Sequence, residues 1–122
     1  FKPRVIYTTP QNDVNVDHQK VFASTLVATR PLKNSIVQEV ISYEIPSSTE
    51  WFFPSQFSPN IFVDISKEFT SKIKAIKAYK TEIREFPHPR SIEALEVITK
   101  RWGSVAGFNY AEVFRLVRTL IK

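Results

Sequence analysis

The stretch Val5-Ile6-Tyr7-Thr8-Thr9-Pro10-Gln11-Asn12-Asp13-Val14-Asn15-Val16-Asp17-His18 changes character twice within fourteen residues. Val5 to Thr8 is apolar and β-branched, so it reads as a short buried strand. Residues 9–16 are polar and rich in turn and cap formers, so they read as a loop. From Asp17 the pattern turns helical, with Val21, Phe22, Thr25, Leu26 and Thr29 on one side, until Pro31 stops it. Strand, loop and helix in that order open an α/β unit.

The rest of the chain continues the alternation. Ile36 to Glu44 is β-rich and predicts a second strand. Residues 45–60 mix prolines, aromatics and serines without a period, so they predict a long loop of the kind that is usually functional or interface-forming. Ile61 to Ile65 predicts a third strand. Ser66 is placed to cap the next helix, whose stripe Phe69, Ile73, Ile76, Tyr79, Ile83 keeps three-four spacing. Phe86-Pro87-His88-Pro89-Arg90 breaks it, and Ser91 caps another helix with Ile92, Leu95, Ile98 and Trp102 inward, closed by Gly103 or Gly107. The end of the chain predicts a strand around Val113–Val117. Strands alternating with helices predict an α/β layer fold with a partly parallel sheet. No repeat or linker divides residues 1–122, which read as one piece of one domain.

Composition narrows the chemistry. The chain has 122 residues, 43% hydrophobic and 24% charged, an ordinary globular balance. There is no cysteine, which excludes disulfides, thiolate zinc sites and cysteine nucleophiles. With only Gly103 and Gly107, neither a P-loop nor a GxGxxG turn can be written. No apolar run reaches membrane-spanning length and no secretory leader opens the chain, so the expectation is a cytoplasmic protein without a membrane span. The chain lacks methionine and starts at Phe1, on the approach to a strand, and we expect it to be a piece of a larger fold. A severed sheet exposes an edge, so a homo-oligomer is expected as well.

The densest cluster of chemistry-bearing residues is Asp13-Val14-Asn15-Val16-Asp17-His18, where a strand's carboxyl end meets a helix start, the usual place for a site in an open α/β sheet. A histidine in the first helical turn feels the positive end of the helix dipole, which favours the neutral imidazole that zinc requires. The same residues also read as an ordinary helix start, with Asn15 or Asp17 as the cap and His18 on the surface. His18 alone does not make a zinc site, since catalytic zinc takes three protein ligands. The other histidine, His88, lies between two prolines.

Residues 7–18 resemble the second metal motif, H-x-D-H, of the LmbE/PIG-L zinc-dependent deacetylases. The resemblance continues through Ala28-Thr29-Arg30-Pro31, residues 42–51, residues 59–66, Tyr79-Lys80-Thr81-Glu82, residues 84–91 and Tyr110-Ala111-Glu112-Val113-Phe114-Arg115, covering nearly the whole chain. It implies the C-terminal portion of a Rossmann-like three-layer α/β/α domain. A His-Pro-Asp-Asp-Glu-type loop with two zinc ligands and the base belongs to the family's other half, and no such motif occurs here. It implies His18 as a zinc ligand, with Asp17 the acid beside it and Asn15 where many members have a histidine. An asparagine donates a hydrogen bond but transfers no proton. Thr9 and Pro10 also replace residues that are often histidine. The implied reaction is zinc-dependent removal of an acetyl group from an N-acetylglucosamine-type sugar or conjugate. Asp13, Trp51, His88 and Arg90 are the residues it points toward the substrate. For Trp51 a subunit contact or a place on the domain's own core, and for His88 and Arg90 a neighbouring subunit or a rigid connector, are the competing readings.

A second function class fits the net charge of +5. Residues 66–90 carry seven Lys/Arg against three Asp/Glu, so a non-catalytic module could hold anionic partners on the basic helix 66–83. Nucleic-acid stacking needs exposed rings between those lysines, whereas Phe69 and Tyr79 fall on the apolar stripe. The expectation is therefore an enzyme that does not bind nucleic acid.

Overall fold

Four strands and three helices alternate in a computed structural model that describes residues 1–53 and 55–121, so Pro54 of the expected long loop lies outside the described residues. In order they are β1 (Val5–Thr8), α1 (Val16–Ala28), β2 (Glu39–Tyr43), β3 (Ile61–Asp64), α2 (Phe69–Ala78), α3 (Ile92–Ala106) and β4 (Ala111–Thr119). The strand order is β1-β2-β4-β3. β1 and β2 are parallel, with Val5 opposite Glu39 and Thr8 opposite Ser42; β2 and β4 are antiparallel, with an irregularity between Val40 and Ile41. The class is mixed α/β. By contacts the chain divides into two units, residues 1–61 with 114–122, and residues 62–113.

In the first unit, α1 begins where Asn15 leaves the extended conformation and its side chain accepts from the Asp17 N–H at 2.9 Å. Of the side expected to face inward, Phe22 and Thr29 are buried, whereas Val21 is exposed. Val40 and Ile41 of β2 join Phe22 as the buried apolar residues of this unit. Residues 45–60 contain no helix or strand among the described residues. Within them Ile45 O collects the Ser48 and Thr49 N–H groups and the Thr49 hydroxyl, and Ser47 takes a positive φ of 73°. A non-glycine residue held there stores backbone strain, which the surrounding bonds must offset.

The second unit differs from expectation at α2. Ser66 does not cap it; its N–H and hydroxyl both donate to Asp64, which holds the Asp64 carboxyl below its usual range. The helix ends at Ala78, so Tyr79, expected on the inner stripe, stands 68% exposed, and Ile83 lies beyond the helix. α3 begins as expected, with Ser91 Oγ accepting from the Ala94 N–H at 3.0 Å. Gly107, at φ 79°, closes it in the left-handed conformation that glycine adopts freely. Gly103 lies inside the helix, where a Cβ would sit 2.7 Å from the Phe108 carbonyl oxygen. Leu95, Ala94, Ile65, Ala111 and Val113 are this unit's buried apolar residues. β4 is longer than the Val113–Val117 expected from the alternation. No helix among the described residues is long and apolar enough to cross a membrane.

Candidate functional site

Asp13 is fully buried in the loop between β1 and α1. Burying a carboxylate is unfavourable unless donors replace its water. Three do so here. The Asn15 N–H donates to Oδ1 at 2.8 Å, while Ser48 Oγ at 2.8 Å and His18 Nδ1 at 2.9 Å both approach Oδ2. The loop is pinned further by Gln19 Nε2 donating to the Asp13 carbonyl and by Thr9 Oγ1 donating to the His18 carbonyl.

This set of bonds orients the imidazole. With Asp13 acting as an acceptor, His18 Nδ1 is the donating nitrogen, and Nε2 is the one that remains for another partner. Asn15 spends its side-chain oxygen on the helix cap, so its amide nitrogen is the group that lies 3.4 Å from His18 Nε2. The His18 side chain is one-quarter exposed, whereas Asp13 is fully buried. A carboxylate at one ring nitrogen holds the orientation of the imidazole, as it does behind metal-bound histidines.

Ser48 and Asp13 with a histidine raise the possibility of a nucleophilic triad. The geometry denies it. Ser48 Oγ contacts the Asp13 oxygen and the Nδ1 side of the ring, at 3.5 Å, whereas a nucleophile would have to meet Nε2. Ser48 supports the carboxylate. Sequence reasoning missed it, because its partner is 35 positions away and nothing local marks it.

The other expected site residues are placed as follows. Asp17 is exposed in the first turn of α1, so the carboxylate against the ring belongs to Asp13. Trp51 is 46% exposed in the 45–60 loop. His88 and Arg90 belong to the second unit, in the connector between α2 and α3. There the Arg90 N–H donates to His88 Nδ1 at 3.1 Å and the guanidinium pairs with Glu82. On the basic helix, Phe69 stacks on Tyr110 with ring centroids 3.9 Å apart, and Lys72 pairs with Glu112 at 2.6 Å.

Zinc was expected at His18. The donor chemistry fits one ligand: an imidazole whose Nδ1 meets a buried carboxylate and whose Nε2 does not. Among the described residues no three His, Cys, Asp or Glu side chains converge on a common point.

Neither a family model nor a curated protein matches the chain. Among solved structures, the chain is similar to the conserved protein TT1542 from Thermus thermophilus. The TM-score is 0.68 at 22% identity, over 99% of this chain and 55% of that one. The likeness is one of fold, and the chain spans about half the length of that structure.

Proposed function

We propose that these residues are the C-terminal portion of a zinc-dependent N-deacetylase, an amidohydrolase acting on N-acetylglucosamine-type sugars or their conjugates. In this reading the domain is a Rossmann-like three-layer α/β/α fold of the LmbE/PIG-L type, and the protein is cytoplasmic. One observation carries the proposal: buried Asp13 engages His18 Nδ1 at 2.9 Å, so Nε2, beside the Asn15 amide, is the ring nitrogen left for a metal. A helix start needs no such pair.

His18 Nε2 would hold the metal, and the remaining ligands would come from polypeptide beyond these residues. When bound, zinc supplies an activated water and polarises the scissile carbonyl. Asp13, kept in place by the Asn15 N–H and by Ser48, holds the ring so that no rotamer search precedes ligation. This assigns to Asp13 the supporting role that the family resemblance suggests for Asp17. The Asn15 amide nitrogen, beside Nε2, donates a hydrogen bond toward charge that builds on the substrate oxygen. Being an amide it moves no proton, so both proton transfers fall to an acid outside these residues. Trp51, exposed in the 45–60 loop, offers a ring for the sugar. β1 is the last strand in the sheet order, and the exposed Val5 and Tyr7 on it suit pairing with further polypeptide or a second copy.

The test is zinc content and release of acetate from N-acetylglucosamine conjugates by the full-length protein that contains these residues. One zinc per chain and turnover, both lost in His18→Ala, are expected. Turnover that survives complete removal of zinc by a chelator would sink the reading.

A further inference from the structure

A cavity of about 380 Å³ opens in the first unit beside the loop that follows β1. Its volume is in the range that holds small molecules, roughly 300–1,000 Å³. Pro10, Gln11 and Asn12, which directly precede Asp13, form one side. Residues 55–58 and the β4 segment 115–117 form others.

The lining is chemically selective. Among the described residues of the lining, Arg115 is the ionisable one. Among the described residues Arg115 takes part in no ion pair, and its one side-chain hydrogen bond runs from NH1 to the Ser58 carbonyl at 3.3 Å. The residue is exposed, and its guanidinium carries five N–H donors, more than that one bond uses. With no carboxylate in the lining, an ammonium group would meet a cation and no counter-charge, so amino acids and amines are disfavoured. The other polar groups are the amides of Gln11, Asn12 and Gln56 and the hydroxyls of serines; Asn12 Nδ2 donates to Ser55 Oγ at 2.7 Å, which leaves the Asn12 oxygen for a ligand. Amides and hydroxyls both donate and accept, which matches a ligand whose own groups do the same. Phe57 adds an apolar surface to the wall.

We propose that this cavity binds a small anionic sugar, its phosphate or carboxylate on Arg115 and its ring hydroxyls on Gln11, Asn12 and Gln56. The guanidinium receives the anion through paired N–H donors, a geometry that lysine lacks. The apolar face of the sugar ring rests against Phe57. The site stands on the cavity alone and does not depend on the chemistry assigned to His18.

The experiment is calorimetric titration of the protein at low salt, where an exposed charge is least screened, with glucose 6-phosphate, glucose and inorganic phosphate. Glucose 6-phosphate should bind on the order of tenfold more tightly than either of the others, because each lacks half of the recognition. In Arg115→Gln the preference over glucose should vanish. Gln56→Ala, in an exposed loop position, should weaken glucose 6-phosphate and leave phosphate unchanged. Amide resonances of Asn12 and Gln56 should shift on titration of the unaltered protein, which keeps the test decisive where Arg115→Gln does not fold. Inorganic phosphate binding as tightly as glucose 6-phosphate would overturn the proposal, as would an undiminished preference in a folded Arg115→Gln. None of the three probes carries an acetamide, so failure here leaves the deacetylase reading untouched, and failure there leaves this site standing.

Discussion

α1 and α3 begin with the same device and lead into different interiors. Asn15 and Ser91 each hand a side-chain oxygen to a backbone N–H of the first turn. Behind Ser91 the second unit buries Ala94, Leu95, Ile65, Ala111 and Val113, with Thr99 returning its hydroxyl to the helix's own carbonyls. Behind Asn15 the first unit buries Asp13, Ser42, Ser48 and Thr49 beside Phe22, Val40 and Ile41. An apolar interior of that size would be the more favourable choice for stability, because a buried polar network is neutral at best when fully satisfied. The second unit shows that this chain can make one. The polar interior behind α1 also holds the His18 ring, through Asp13.

On the deacetylase reading, the sharpest way to break the comparison is His18→Ala in the full-length protein. Zinc retention and deacetylation should both disappear, because the metal supplies nucleophile and electrophile together. The fold should survive, since Ser48 and the Asn15 N–H still satisfy Asp13. Metal analysis and circular dichroism of the variant separate the two. On these residues alone the same logic predicts weak zinc binding, as one imidazole is an incomplete ligand set. A tightly held zinc after dialysis, in a monomer, would contradict it. Next comes Asn15→Ala. If its amide faces the reacting oxygen, turnover should fall on the order of 100-fold with zinc still bound. Asn15→His should bring an ionisable group into the pH–rate profile.

Much of this was legible in sequence. The strand at Val5–Thr8, the helix after it and the Ser91 cap follow from period and cap chemistry, which act over a few residues, although the strand read as buried leaves Val5 and Tyr7 exposed. The site was legible as a cluster and not as a network. Asp13 and Asp17 look alike on paper; only the folded loop shows one buried against the ring and the other in solvent. Ser48 was invisible because its contact spans 35 positions. Tyr79 was misplaced because the apolar spacing runs on past Ala78, while the backbone turns there, with the Glu82 N–H donating to the Tyr79 carbonyl.

Asp13→Asn sharpens the claim about the interior. An amide has one accepting oxygen, so its nitrogen must face a donor, either the Asn15 N–H or the Ser48–His18 side. Stability should drop by about 1–3 kcal/mol, read from urea unfolding. Zinc affinity in the full-length enzyme should fall roughly 10–100-fold, the usual consequence of losing the partner behind a metal-bound histidine. Loss of stability without loss of affinity would make Asp13 a structural residue only.

The smallest effect is the control that gives the others meaning. Ser91→Ala removes the α3 cap and leaves the Ala94 N–H without its acceptor, which should lower stability by about 1 kcal/mol. Asn15→Ala removes the equivalent cap from the Asp17 N–H and should lower stability by a similar amount. The two variants are thus matched as caps, and their unfolding midpoints should shift together by a few degrees. Activity should not move together. Ser91 touches only its own helix start, so zinc content and turnover in Ser91→Ala should equal those of the unaltered enzyme below the unfolding transition. Asn15 also presents its amide nitrogen to the outward face of the histidine, so its loss should slow turnover even where the protein is fully folded. Equal turnover in the two variants would mean that Asn15 is a cap and nothing more, and the division between a stabilising and a catalytic helix start would then rest on His18 and Asp13 alone.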